Sequence, residues 1–203
     1  MLTIALPKGR IADETLEIFS KVFGGKFAFE NRKLILEDHG FCFLNVRSQD
    51  VPTYVAYGAA DMGVVGLDVI MEQNLDIVDL LNMQLGKCKV AIGIKNEDEL
   101  DWSRADIKVA TKMVNITKNY FAKKAVGVEV IKLYGSIELA PLIGLADAIV
   151  DIVETGATMR ENGLRVAEEI MESSAHLIAN KNSFYAKKSE ILSLCESIKK
   201  CIK

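Results

Sequence analysis

Gly58-Ala-Ala-Asp-Met-Gly-Val-Val65 recurs about one lobe later as Gly144-Leu-Ala-Asp-Ala-Ile-Val-Asp151. In both stretches a helix end passes through glycine and aspartate into an apolar run that reads as a buried strand. Each section also opens as strand, loop and helix, at residues 2–19 and 107–121. The pattern predicts an α/β fold of two similar lobes whose strand ends face a common cleft. Ligands of such sheets gather beyond the carboxyl ends of strands, so residues 8–10, 66–68 and 154–158 are expected to converge.

Outward from the repeat, strands and helices alternate, which predicts a largely parallel sheet. Residues 2–6 form a strand, and Ile11, Leu16, Ile18, Phe19 and Val22 mark the helix that follows. Strands are expected at 33–37 and 41–46 around the turn Asp38-His-Gly40, a helix at 51–57, and strands at 62–65 and 88–94. The polar segment 95–106 reads as a linker or loop. Beyond it come a strand at 107–111, a helix at 116–125 capped by Asn115, and strands at 128–133 and 148–153, with Ser136 capping a helix between them. Phe184, Ile191, Leu194, Ile198 and Ile202 keep helical spacing, so the final segment should pack on a sheet.

The 203 residues suit one large domain or two modest lobes. A net charge of −3 argues against a general nucleic-acid binder, whose domain is normally basic. Cys42, Cys88, Cys195 and Cys201 follow no metal-ligand spacing, and His39 and His176 are isolated. Reduced thiols and a cytoplasmic location are the expectation. The first residues lack the regions of a signal peptide, and no apolar run is long enough to cross a bilayer.

After the second copy of the repeat comes Asp151-Ile-Val-Glu-Thr-Gly-Ala-Thr158. Thr155, Gly156, Ala157 and Thr158 offer hydroxyls and closely approachable N–H groups at a helix start, the equipment for a phosphate. An ordinary capped turn has the same composition, and no Gly-Lys-Ser/Thr ending makes it a Walker loop. Asp151 and Glu154 should repel a phosphate, yet they suit a ribose diol or a Mg²⁺ ion that also touches phosphate oxygens. Lys8-Gly9-Arg10 is either a polyphosphate site or a solvated basic turn. Arg47 is a ligand cation or a capping partner, and Asp68, after Gly66, is a second oxygen site or a helix cap. Asp61 and Asp147 read as terminators of the preceding turns.

These residues, together with Ala5-Leu-Pro-Lys-Gly-Arg10, Arg47-Ser-Gln-Asp-Val-Pro-Thr-Tyr-Val55, Val109-Ala-Thr-Lys-Met-Val-Asn-Ile-Thr117 and Gly135-Ser-Ile-Glu-Leu-Ala-Pro-Leu142, resemble the ATP phosphoribosyltransferase family in its catalytic subunit. The ordered coincidence runs nearly end to end. The resemblance implies a fold of the periplasmic-binding-protein type II class with a discontinuous first lobe, residues 1–93 with 180–203, and a second lobe at 94–179. It implies the short form of the family, a homodimer, and a hetero-oligomer with a regulatory subunit like histidyl-tRNA synthetase.

The implied reaction is the first step of histidine biosynthesis, joining N1 of ATP to C1 of phosphoribosyl pyrophosphate with release of pyrophosphate. Carried onto this chain, residues 155–158 hold the 5′-phosphate, and Asp151 with Glu154 holds the ribose hydroxyls. Lys8 and Arg10 are the catalytic cations. Arg47, Gly66, Asp68, Ser136 and Glu138 belong to the nucleotide side, and Mg²⁺ is the cofactor, with Asp68 and Asp151 its candidate ligands. The alternatives are a non-catalytic nucleotide or sugar-phosphate binding module of the same fold and a different nucleotide-dependent transferase.

Overall fold

A computed structural model describes residues 1–30 and 32–202. Asn31 and Lys203, both in the expected first lobe, lie outside them. The chain divides into two units, Met1–Gly86 with Ser174–Lys203, and Lys87–Ser173.

The first unit begins with β1 (Leu2–Pro7), α1 (Arg10–Phe23), β2 (Ile35–Asp38), β3 (Phe41–Val46) and α2 (Val51–Ala56). It continues with β4 (Met62–Gly66), α3 (Leu67–Gln73) and β5 (Val78–Asn82). The second unit holds β6 (Cys88–Lys95), β7 (Ile107–Thr111), α4 (Val114–Lys123) and β8 (Val128–Lys132). It closes with α5 (Leu139–Leu142), β9 (Ala148–Val153), α6 (Ala157–Glu161) and β10 (Leu164–Ser173). The chain then returns to the first unit as β11 (Ala175–Ala179), α7 (Lys181–Ala186) and α8 (Lys188–Cys201).

The two sheets are built alike. One has the order β2-β3-β1-β4-β11-β5 and the other β10-β6-β9-β7-β8. β1 pairs in parallel with β3 and β4, as β7 does with β8 and β9. An antiparallel strand then joins each, β11 beside β4 and β6 beside β9, followed by β5 and β10. The sheets are therefore mixed rather than largely parallel. Parallel neighbours need a crossover, usually a helix, whereas β2, β5, β6, β10 and β11 pair antiparallel, which does not require one.

The repeated aspartates have one job in both units. Gly58 and Gly144 take φ of 75° and 72°, a left-handed turn that glycine enters without a Cβ clash. Three residues on, the Asp61 N–H donates to the Thr3 carbonyl at 2.9 Å, and Asp61 Oδ2 accepts the Thr3 N–H at 2.9 Å. Asp147 does the same with Lys108, the side-chain bond being 2.7 Å. Each carboxylate thus sets the register of β4 against β1, or of β9 against β7.

Burial pushes the Asp61 carboxyl up, but hydrogen bonds from Lys187, Thr3 and Ser183 and the Lys187 charge outweigh it and hold it below the ordinary range. For Asp147, burial is likewise outweighed by the Lys108 N–H and by Arg104, 3.0 Å away. A carboxylate depressed in the folded state stabilises above its unfolded pKa of about 3.9, and that stability fades as pH falls through the lower folded value. Asp61→Asn should therefore destabilise the protein at pH 7, with the gap from wild type closing below about pH 4. Urea denaturation across pH checks this; a gap independent of pH would contradict it.

The first unit's core centres on Phe19 of α1, fully buried with ring centroids 5.2 Å from Phe41 and 5.0 Å from Phe43. Ile191, Leu194 and Ile198 of α8 join the same core, so the last helix belongs to the first unit. The expected single helix over 184–202 is two helices, because Lys187 at φ −121° leaves the helical region between α7 and α8. The unit boundaries fall at 86/87 and 173/174 rather than at 93/94 and 179/180. β6 pairs with β9 and β10, and β11 with β4 and β5, so register decides which unit owns each strand. The segment expected to be a linker packs Leu100 and Trp102 on the second unit's core.

Candidate active site

Parallel strands bring their carboxyl ends to one edge of a sheet, so each unit presents an edge of loops. In the second unit, Asp151 lies one residue beyond the last β9 position paired with β7. Past Val153 the chain turns through Gly156, at φ 72°, into α6. A Cβ on Gly156 would stand 3.0 Å from the Arg160 guanidinium, which donates to the Thr155 carbonyl at 3.0 Å. Arg160 thereby closes the loop from beneath. Ala157 N–H reaches the Thr155 hydroxyl only at 3.4 Å, and Asn162 binds the Thr158 carbonyl at 2.8 Å.

The result is a cavity of about 290 Å³ lined by Glu138 and by residues 151–159. Asp151, Glu154 and the four loop residues 155–158 stand on one wall as a continuous segment, and Glu138 joins them from the end preceding α5. Met159 is buried against the sheet, where Gly93 of β6 makes room for its sulfur. α6 has only five residues, so its dipole is a fraction of that of a long helix. What the loop offers a ligand is its local N–H groups and hydroxyls instead.

The Asp151 carboxylate is already oriented. Its Oδ1 accepts the Ile152 N–H at 2.8 Å and lies 3.2 Å from the Lys112 ammonium. Among the described residues, both contacts fall on that oxygen. Lys112 and Arg160 were not expected from the sequence; their roles depend on strand register and on how tightly the loop turns.

Other expected residues are placed differently. Ser136 has φ 49° and caps nothing with its side chain; Glu138 occupies the capping position of α5, and Ser136 is absent from the cavity wall. Asn115 is inside the first turn of α4, whose cap is Met113. There the buried Thr111 hydroxyl accepts the Met113 N–H at 2.9 Å and donates to the Val150 carbonyl at 2.6 Å.

In the first unit, residues 8–10, Arg47 and Gly66 follow or end β1, β3 and β4. Lys8 N–H donates to the Val46 carbonyl at 2.9 Å, which ties the first two loops together. Gly9 takes φ 99° with no atom near its missing Cβ, so its backbone angle, not crowding, is what calls for glycine. Lys8, Arg10 and Arg47 are exposed, and Arg10 lies 3.8 Å from Glu14. Gly66 caps α3 and Asp68 is buried in its first turn, so Asp68 is not the cap. Among the described residues no group of three or more His, Cys, Asp or Glu side chains is arranged to hold a metal, and no helix is long and apolar enough to cross a membrane.

A family model described as HisG, ATP phosphoribosyltransferase, matches residues 47–200. An ATP phosphoribosyltransferase of Sulfurovum sp. (strain NBC37-1) is 80% identical over 199 residues, 98% of this chain and 97% of that one. One from Campylobacter concisus (strain 13826) is 69% identical, with 98% of each chain covered. Among solved structures, the ATP phosphoribosyl transferase (HisG:HisZ) complex from Thermotoga maritima matches with a TM-score of 0.86 and 32% identity, over 100% of this chain and 98% of that one. The periplasmic aliphatic sulphonate binding protein SsuA from Escherichia coli matches at a TM-score of 0.64 and 12% identity, covering 99% and 72%. That likeness is one of fold alone, and it places the architecture in the periplasmic-binding-protein type II class. By sequence along nearly its whole length, the chain belongs to the ATP phosphoribosyltransferase family.

Proposed function

We propose that the protein joins N1 of the ATP adenine to C1 of phosphoribosyl pyrophosphate, releasing pyrophosphate, as the first step of histidine biosynthesis in the cytoplasm. The observation that supports this beyond family membership is the cavity wall, where two acids and a Thr-Gly-Ala-Thr loop follow one another. A ribose 5-phosphate has the matching order: a diol at one end and a dianion at the other. Asp151 and Glu154 accept from the hydroxyls, and residues 155–158 donate to the phosphate.

Adenine N1 carries its own lone pair, so no general base is assigned. The work lies in bringing two polyanions together and in accepting charge on the leaving pyrophosphate. Positioning can supply roughly 7–11 kcal/mol of such a barrier. Lys8 and Arg10 meet the developing pyrophosphate charge, and Arg47, Gly66, Asp68, Ser136 and Glu138 serve the nucleotide. Mg²⁺ is commonly held by one or two carboxylates with phosphate oxygens, and Asp151 and Asp68 each offer one. Among the described residues no side-chain cluster would hold the ion by itself, so the polyphosphate oxygens would carry it, and it would offset their charge.

The Thermotoga maritima relative was solved as a HisG:HisZ complex. By that likeness we assign this chain, as a homodimer, a regulatory partner of the same kind. Pyrophosphate release should require both ATP and phosphoribosyl pyrophosphate when the chain is assayed with that partner. Release with either substrate alone, or none with both, would contradict the assignment.

Gly156→Val places a branched side chain at φ 72° against Arg160. Such backbone strain costs about 1–3 kcal/mol. The KM for phosphoribosyl pyrophosphate should rise at least about fivefold, on the order of that strain energy; an unchanged value would remove the loop from the phosphate site.

A further inference from the structure

Three carboxylates, Glu138, Asp151 and Glu154, line a cavity assigned to a phosphate-bearing ligand. Lys112, which is not among the residues lining that cavity, brings positive charge to Asp151, 3.2 Å from its Oδ1. Its backbone is pinned on both sides. Thr111 is fully buried and bonded to Val150 and to Met113 N–H, and the Met113 carbonyl accepts the Thr117 hydroxyl at 2.7 Å.

The fold supplies an independent reason to look at this position. β7 corresponds to β1 in the repeated topology, and α4 to α1. Lys112 is the first residue after β7 and stands just before Met113, the cap of α4. Lys8 is the first residue after β1 and stands just before Gly9, the cap of α1. Both units thus carry a lysine at the same point of the same edge.

We propose that Lys112 is a positioning residue of the sugar-phosphate site, holding Asp151 by Oδ1 so that Oδ2 meets the ribose hydroxyls. Together with the Ile152 N–H it fixes the rotation of the carboxylate. It also offsets one of the negative charges that the incoming phosphate faces. The role rests on the sugar-phosphate reading of the loop.

The test uses KM for each substrate in the complex with the regulatory partner. Lys112→Met should raise the KM for phosphoribosyl pyrophosphate at least fivefold and that for ATP much less, and Lys112→Arg should recover most of the loss. Because Lys112 acts through Asp151, adding Lys112→Met to Asp151→Asn should change the KM by less than about twofold, a non-additivity expected of contacting groups. Equal effects in both backgrounds, equal effects on both substrates, or none would overturn the proposal. If Asp151→Asn raises the KM and Lys112→Met does not, only the role of Lys112 falls. If Asp151→Asn is itself without effect, the sugar-phosphate reading falls with it.

Discussion

Asp151→Asn should lower kcat/KM for phosphoribosyl pyrophosphate by roughly 10- to 150-fold, the equivalent of about 1.5–3 kcal/mol for a hydrogen bond to a charged group. The substitution keeps the shape of the side chain. It removes the charge that makes the carboxylate a strong acceptor for a diol, and it leaves the Lys112 ammonium without its counter-ion. The residue lies beyond the last pairing of β9 with β7 and pairs with Ala91 of β6 through its backbone, so the sheet does not depend on its charge. Thermal unfolding should accordingly move little. Steady-state kinetics with each substrate varied in turn separates the effect from one on ATP. An unchanged value for phosphoribosyl pyrophosphate would remove Asp151 from the ribose site.

Phe19→Ala should cost about 3–5 kcal/mol of stability, the usual range for emptying a buried aromatic position. Phe19 is fully buried and its ring meets those of Phe23, Phe27, Phe41 and Phe43. These neighbours come from α1, from the segment after it and from β3, so the cavity cannot close by shifting one element. Domains are stable by only about 5–15 kcal/mol, so the loss is a large share of the total. Denaturant unfolding followed by circular dichroism measures it. Trp102 is half-buried and packs on the second unit's core, so its fluorescence reports that unit separately. A loss below about 1 kcal/mol would show that the aromatic cluster is not the first unit's main support.

Much of this fold was legible because two short signals each have one physical meaning. Glycine followed three positions later by aspartate, ahead of an apolar run, marks a left-handed turn whose acid locks the next strand to its neighbour. Both copies do so, at Asp61 and Asp147. The Asp151–Thr158 segment stood out in the sequence because acids next to a small-residue loop are costly unless a ligand wants both, and in the structure these residues line one cavity.

What stayed hidden depends on register and on tertiary packing. β10 carries irregularities between Val166 and Glu168 and between Glu169 and Met171, which break the alternation that marks a strand. β11 is a five-residue stretch, apolar but for His176, and so short a run does not say which sheet it joins. The unit boundaries shifted for that reason. Ser136 and Asn115 have the composition of caps, but a left-handed turn and a Thr111 hydroxyl took those places. Lys112 meets Asp151 only because β7 and β9 are neighbours in the sheet, a pairing across some forty residues of chain that no local pattern encodes.

The central claim is that the second unit's acids and loop together hold one sugar phosphate. Titration of ribose 5-phosphate into isotopically labelled protein, followed by amide NMR shifts, tests it most directly. The account predicts saturable shifts at residues 151–158, weaker binding of inorganic phosphate, which lacks the diol, and loss of the difference between the two in Asp151→Asn. Shifts confined to other parts of the chain, or equal affinity for ribose 5-phosphate and phosphate in the wild type, would contradict it.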